Sequence, residues 1–464
     1  MADTNRRGFL KSTAVAAAGV SMVGTSSLRA TAAAEERPQG TLPTPFPRTM
    51  GPNTEKYLLH VARSGLAGAE MAGRFEREFA AAVGAKHCMA TAGCTPALAA
   101  LAAGLGFEPG DEIIVSPISD YGTMQGLIRE NYIPVFADAA PGTVNLSAET
   151  IEPCITQRTR AILCVHKTGL VCDMDPILEL ARKHKLVVYE DACQAVFGQY
   201  KGRLVGSLSD AAAFSFDSEK TLGSDMGGCV TTSDDSLAER VRFMGQNRAA
   251  AGGPPNFGRT HTAPGYAYRM PECTAAVTLA QLEIIRDQVA QRDKMIRLLS
   301  TLIGEIPGIT PLPIPDYCTV YSAWMFGMSI DPQHFTCTAD EFGAQLAAAG
   351  IPGASTARYY LLPASLTFLQ EYAARKRYPY SLPPASREYR YGPEACPTAW
   401  KFLQTWIRWS TFCEKYTEAH CELARDIVKQ VADKNRTVAR PGSGGDRRPE
   451  QPPPEPGGPL CGTH

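Results

Sequence analysis

Residues 186–223 read LVVYEDACQAVFGQYKGRLVGSLSDAAAFSFDSEKTLG. The first four, Leu186 to Tyr189, form a short continuous apolar run of the kind that fills a strand covered on both faces. It ends on two carboxylates, Glu190 and Asp191. A second apolar run, Ala212 to Phe216, leads through Asp217 and Glu219 to Lys220 and a turn rich in small residues. A carboxylate at the end of a buried parallel strand is costly unless a cation meets it. An isolated aspartate there often does no more than end the strand. The lysine at the end of the second run makes the pair a candidate for chemistry, because a lysine desolvated near a second cation has its pKa lowered and acts as a Schiff-base nucleophile.

Working outward, the same pattern repeats. Short apolar runs at Ile113–Val115, Ile133–Phe136 and Ala161–Val165 alternate with helical stretches such as 173–184. Met71, Phe75, Phe79 and Val83 recur every four residues, which predicts a helix stopped by Gly84. A single long helix is expected from Leu279 through Leu282, Ile285 and Val289 toward Ile296. Alternation of this kind implies βαβ units and a largely parallel sheet whose ligand site lies beyond the C-terminal strand ends. After about residue 310 the pattern is mixed, as expected of a smaller α+β domain. Thr95-Pro96 ahead of the alanine-rich run from Ala97 reads as an N-cap followed by proline, opening a helix whose free N–H groups suit a phosphate. Tyr121, shortly after the Ile113 strand, adds an aromatic face. Each of these has an ordinary structural meaning alone, as a helix start or as packing. Together they describe a site for a phosphorylated, cationic aromatic ring held by an imine.

The whole chain has 464 residues, 44% hydrophobic and 20% charged, with Lys+Arg 46 against Asp+Glu 47. That composition excludes disorder for most of it and excludes a general nucleic-acid binder, which needs a basic excess to displace counterions. Residues 1–32 carry Arg6-Arg7, a weakly apolar run and Ala30-Thr31-Ala32, and are expected to be a twin-arginine (Tat) export signal. No later stretch is apolar enough to suggest a stable membrane span, and a periplasmic or extracellular destination follows as an expectation. From Pro441 to His464 there are 7 prolines and 6 glycines, so residues 439–464 are expected to be a tail without a packed core. Between the ends, 33–300 is read as a large ligand-binding domain and 301–438 as the smaller one. The 14 cysteines are scattered without a C-x-x-C pair, several in strand-like runs, so buried thiols are expected, with room for one late disulfide near the C-terminus. No His/Cys cluster has metal-ligand spacing, and no metal is expected.

Several stretches carry a family resemblance: GRFEREFAAAVGAKHCMATAGCTPALAALAAGLGFEPGDEIIVSP, PVFADAAPGTVNL, VHKTGLVCDMDPI, VVYEDACQAVFGQYKGRLVGSLSDAAAFSFDSEKTLGSDMGGCVTT and GYAYRMPECTAAVTLAQL, with a looser ACPTAW near Cys396. In order and spacing, over about residues 50–290, the chain resembles the DegT/DnrJ/StrS family of pyridoxal-phosphate aminotransferases, which act on sugars and aminocyclitols. The resemblance implies an α/β fold-type-I PLP-dependent transferase, with a large mostly parallel sheet domain, helices on both its faces, and a smaller C-terminal α+β domain. It implies pyridoxal 5'-phosphate as cofactor, with Lys220 as the Schiff-base lysine and proton shuttle and Asp191 as the acid beside the pyridinium nitrogen. By position, Gln194 matches the residue beside the phenolic oxygen, Ser215, Thr95 and Pro96 the phosphate end, and Tyr121 the stacking aromatic. His166 falls in a strand-end motif as a structural or pocket-lining residue, and Arg269 is a candidate for anionic substrate groups.

Three positions depart from the family pattern: Ala267 where asparagine reaches the neighbouring subunit's phosphate, Cys94 where glycine is usual, and Thr221 where asparagine follows the lysine. A branch with histidine in place of the lysine performs dehydration, and Lys220 sets this chain outside it. The implied activity is transfer of an amino group from glutamate or glutamine to a keto sugar or keto cyclitol, with ping-pong kinetics and a homodimer. Export leaves two alternatives, a non-catalytic cofactor-binding sensor or envelope protein, and a different pyridoxal reaction such as racemisation or elimination.

Overall fold

The structure, a computed structural model, describes residues 41–246 and 263–437. The export signal and the Pro/Gly-rich tail read from the sequence lie outside the described residues. A seven-stranded sheet contains β1 (His87–Thr91), β2 (Glu112–Val115), β3 (Ile133–Phe136), β4 (Thr159–Val165), β5 (Val187–Asp191), β6 (Ala211–Ser215) and β7 (Gly228–Thr232). Their spatial order is β1-β7-β6-β5-β4-β2-β3. Neighbours pair in parallel from β6 to β3, while β7 runs antiparallel to both β1 and β6. The middle strands are buried along nearly their whole length, which is why they read as continuous apolar runs rather than as alternation.

Register decides what the strand ends bring together. Thr91 and Ser215 both pair with Gly228, and Asp191 lies between Val165 and Ala213. A Cβ on Gly228 would stand 2.4 Å from the Gly93 carbonyl carbon, so only glycine lets β7 pass this close to the turn after β1.

Helix α1 (Met71–Val83) buries Met71, Phe75, Phe79 and Val83 and stops at Gly84, whose φ of 78° suits glycine. Phe79 meets Phe214 and Phe216 edge-on at 5.1 and 5.3 Å, fastening α1 to β6. Helix α2 (Cys94–Leu105) follows β1, α3 (Gly122–Arg129) follows β2, and α4 (Met174–His184) precedes β5. The expected cap at Thr95 is displaced: Gly93 occupies the cap position, and Thr95 and Pro96 are the second and third helical residues. Proline is tolerated there because first-turn N–H groups have no partner inside the helix.

The single helix expected across residues 279–296 is two, α5 (Glu272–Leu282) and α6 (Ile285–Gly304). Glu283 and Ile284 at the bend keep right-handed backbone angles, so the apolar spacing continues across it and periodicity alone does not reveal the break. The Glu283 carboxylate is taken by Asn53 and by the Tyr57 hydroxyl at 2.5 Å, which pins the bend to the start of the described chain.

Later in the chain, β8 (Ile309–Pro311), β9 (Phe326–Ile330), β10 (Ser355–Thr356) and β11 (Trp406–Trp409) form an antiparallel sheet in the order β8-β9-β11-β10. Helix α7 (Ala339–Ala348) packs against β10 and β11, and α8 (Glu418–Lys434) packs on α7 and α6. No helix among the described residues is long and apolar enough to cross a membrane.

Candidate active site

The ends of β5 and β6 and the start of α2 open into a cleft of about 390 Å³ lined by Cys94, Thr95, Pro96, Asp191, Ser215 and Lys220, with Trp324, Tyr359 and Tyr360 contributed by later residues. Five of the seven cofactor-site residues expected from sequence therefore share one cavity. Gln194 is buried behind it, its side-chain oxygen accepting the Thr168 N–H at 2.6 Å. Tyr121 is 59% exposed at the rim, between the lining residues Asp120 and Gly122.

Asp191 is 1% exposed at the end of β5. The Thr123 hydroxyl donates to Oδ2 at 2.7 Å and the Cys193 N–H to Oδ1 at 3.2 Å. Thr123 in turn meets Ser119 at 2.7 Å, so two hydroxyls in series orient the carboxylate. The Cys94 thiol lies 4.0 Å from Oδ1, and its interaction with Cys193, burial and the Asp191 charge raise its pKa well above the usual thiol range. All of these donors are neutral, so the buried carboxylate lines the cleft without an ion pair among the described residues, which suits a binding partner with a cationic ring atom.

Lys220 sits on the loop after β6, its amine 3.6 Å from the centre of the Trp324 ring. Trp324 is itself fixed by its indole N–H, which donates to the Glu219 carbonyl at 2.9 Å. From the other side the Arg48 guanidinium donates to the carbonyls of Ser218, Lys220 and Thr221 at 2.7, 2.6 and 3.2 Å. The lysine loop is thus clamped by residues far away in sequence on both sides. In the same cleft lining, the N–H groups of Cys94 and Thr95 head α2, together with the Thr95 and Ser215 hydroxyls. These are neutral donors at a helix N-terminus, suited to a phosphate. The donor set therefore fits pyridoxal phosphate at three points: hydroxyls and helix N–H groups for the phosphate, Asp191 for the ring nitrogen and Lys220 for the aldehyde carbon.

Two expected substrate residues lie elsewhere. His166 is fully buried and outside the cleft lining; its Nδ1 accepts the Cys172 N–H at 3.2 Å and its Nε2 meets Glu190 at 2.9 Å. Glu190 also accepts from Gly206 and Ser209, so the pair is a closed polar network beneath the site. Arg269 is exposed, beside Thr91 in an isolated bridge, and does not line this cleft; Ala267 is exposed in the same segment. Sequence reading missed Arg48, Thr123 and Trp324. Trp324 is one of 4 tryptophans and offered a weak signal, whereas the reach of Arg48 across 170 residues to Ser218 leaves none.

Residues 50–390 match the DegT/DnrJ/EryC1/StrS aminotransferase family. The spore coat polysaccharide biosynthesis protein SpsC of Bacillus subtilis is 40% identical over 245 residues, 51% of this chain and 63% of that one. GDP-perosamine synthase of Caulobacter vibrioides is 36% identical over 277 residues, 60% of this chain and 73% of that one. The matched part thus spans roughly two thirds of these relatives' own length. Among solved structures, 3-amino-5-hydroxybenzoic acid synthase shares the fold with a TM-score of 0.73 at 24% identity, covering 85% of this chain and all (100%) of that one. DesV of S. venezuelae has a TM-score of 0.67 at 28% identity, covering 82% and 94%. By sequence, fold and the contents of its cleft, the chain belongs to the DegT/DnrJ/EryC1/StrS aminotransferase family, whose members work with pyridoxal phosphate.

Proposed function

We propose that the protein is a pyridoxal-phosphate-dependent aminotransferase that takes an amino group from glutamate or glutamine and delivers it to a keto sugar or keto cyclitol. The observation that carries this reading is that Lys220, the Asp191 carboxylate, which has no cationic partner among the described residues, and the N-terminus of α2 line one cleft. Bound pyridoxal phosphate supplies an electron sink for the bond broken at the amino-bearing carbon. Lys220 would hold the cofactor through its amine and, once free, would serve as base and acid for the proton at the substrate's amino-bearing carbon. Asp191, oriented by Thr123, keeps the ring nitrogen protonated, and Thr95 and Ser215 hold the phosphate. Trp324 and Arg48 limit the positions the lysine loop adopts, so that Lys220 moves its proton from a fixed place.

The test is spectroscopic. Adding amino donors to the purified, cofactor-loaded protein is expected to bleach its visible band, and adding a keto acceptor to restore it. Borohydride should trap the cofactor on Lys220, identified by peptide mass, and Lys220→Ala should trap none. A band indifferent to every amine tried favours a non-catalytic binder, and a trapped adduct in Lys220→Ala overturns the assignment.

Two further proposals rest on sequence alone. The 265–269 segment resembles the family's cross-subunit motif and supports a homodimer, for which sedimentation is the check. The twin-arginine stretch supports export through the Tat translocase, which fractionation of cells with and without a working translocase examines.

A further inference from the structure

Next to Lys220 lies a second lysine that the proposed reaction leaves without a role. Lys167, just beyond β4, is 0% exposed, and its amine has no hydrogen-bond acceptor among the described residues. Its described neighbour is the Tyr360 ring, 3.1 Å from amine to ring centre, and Tyr360 is part of the cleft wall. Its backbone is fixed, the N–H donating to the Asn145 side-chain oxygen at 3.2 Å, so the side chain is directed rather than stranded.

The Lys167 pKa is lowered to about 7, chiefly by burial, with Lys220 and Arg408 also lowering it and Cys193 and Asp120 opposing them. Lys220, Cys193 and Asp120 all line the cleft, as does the Tyr360 ring that covers the Lys167 amine, while Lys167 itself does not line it. Arg408 reaches the neighbouring Tyr359 hydroxyl at 3.4 Å, adding a further cation to the same wall. Three N–H donors without an acceptor are expensive to bury. An anion at the Tyr360 wall supplies the opposite charge, and supplies the acceptor once the Tyr360 ring turns aside.

We propose that Lys167 is the anchor for a substrate carboxylate, received at the Tyr360 wall of the cleft beside Lys220. This rests on the aminotransferase reading and narrows it: one of the two substrates presents a carboxylate to this wall. The two sources are the amino-acid donor and an acidic keto acceptor of the uronic type.

The experiment uses full-length, cofactor-loaded protein and two anions that carry no amine, glutarate in place of the donor and glucuronate in place of an acidic acceptor. Binding is read by calorimetry from pH 6 to 9. In the wild type, affinity is expected to be highest below about pH 7, where the amine is charged, and to fall about tenfold per pH unit above it. Lys167→Met should weaken binding at pH 6 at least tenfold and flatten the profile. Lys167→Arg should keep binding but lose the pH dependence, an outcome that separates an anchor from a merely structural lysine. Loss confined to glutarate assigns the carboxylate to the donor, and loss confined to glucuronate assigns it to the acceptor. Unchanged affinity for both in Lys167→Met, or a wild-type slope that survives in Lys167→Arg, overturns the proposal. The wild-type profile needs no variant, and a flat one overturns it as well. Borohydride trapping on Lys220 is measured in the same samples: its failure in the wild type counts against the aminotransferase reading, while its persistence with lost anion binding isolates Lys167.

Discussion

At Asp191, charge and hydrogen bonding are separable. Thr123 and the Cys193 N–H position the carboxylate whether or not it carries a charge opposite a cationic ring. Asp191→Asn keeps a polar group that Thr123 can hold and removes the charge that keeps the ring nitrogen protonated. We expect kcat to fall about 10²–10³-fold, the scale of losing one preorganised electrostatic partner, with cofactor still trapped on Lys220. Single-turnover absorbance kinetics measure it, and a variant as fast as wild type removes Asp191 from the chemistry. Asp191 and Lys220 were legible in sequence because each ends a distinct apolar run. Thr123 was not, since a threonine two residues past Tyr121 looks like any helix start until the fold brings it across the sheet to β5.

Elements carry a different kind of information. The four-residue spacing of Met71, Phe75, Phe79 and Val83 announced α1 and its buried face, and Phe79 proves to be the ring on which β6 closes. Phe79→Ala is therefore expected to cost about 3–5 kcal/mol, read as a lower urea midpoint with an unchanged slope. A loss under 1 kcal/mol would mean that the aromatic cluster repacks freely. The same spacing logic joined α5 to α6 in error, because apolar periodicity reports which side is buried and a bend that keeps right-handed angles leaves that side continuous. The helix cap at Gly93 rather than Thr95 was hidden for a related reason: proline is accepted at any position of a first turn, so it does not count residues.

Across the whole molecule, long-range polar contacts tie the early and late parts of the chain, and these were the least legible. Arg292, 1% exposed on α6, pairs with Glu414 at 2.7 Å and donates to the carbonyls of Ala323 and Phe412. Burial acts to raise the Glu414 pKa, but Arg292 and backbone hydrogen bonding outweigh it, and the net shift is downward. A depressed folded pKa means stability that is present above the unfolded value of about 4.3 and is lost as pH falls through the folded value. Arg292→Met, which leaves a buried carboxylate alone, should cost about 3–5 kcal/mol at pH 7 and less at pH 4, where burial favours protonation of the variant's partnerless Glu414. Denaturation at both pH values measures it, and an equal cost at each removes Glu414 from the account. Nothing in the local sequence of either residue marks the pair, because the two lie 122 positions apart and are brought together only by packing.

The clamp on the lysine loop also has a schedule. Glu219 and Trp324 are 105 residues apart, so a ribosome has delivered Lys220 and Asp191 well before the indole that fixes their loop exists. At about 5–20 residues per second the gap is roughly 5–20 s. Throughout that interval the nascent chain has only Arg48 and the loop's own turn contacts to hold the reactive amine, without the indole.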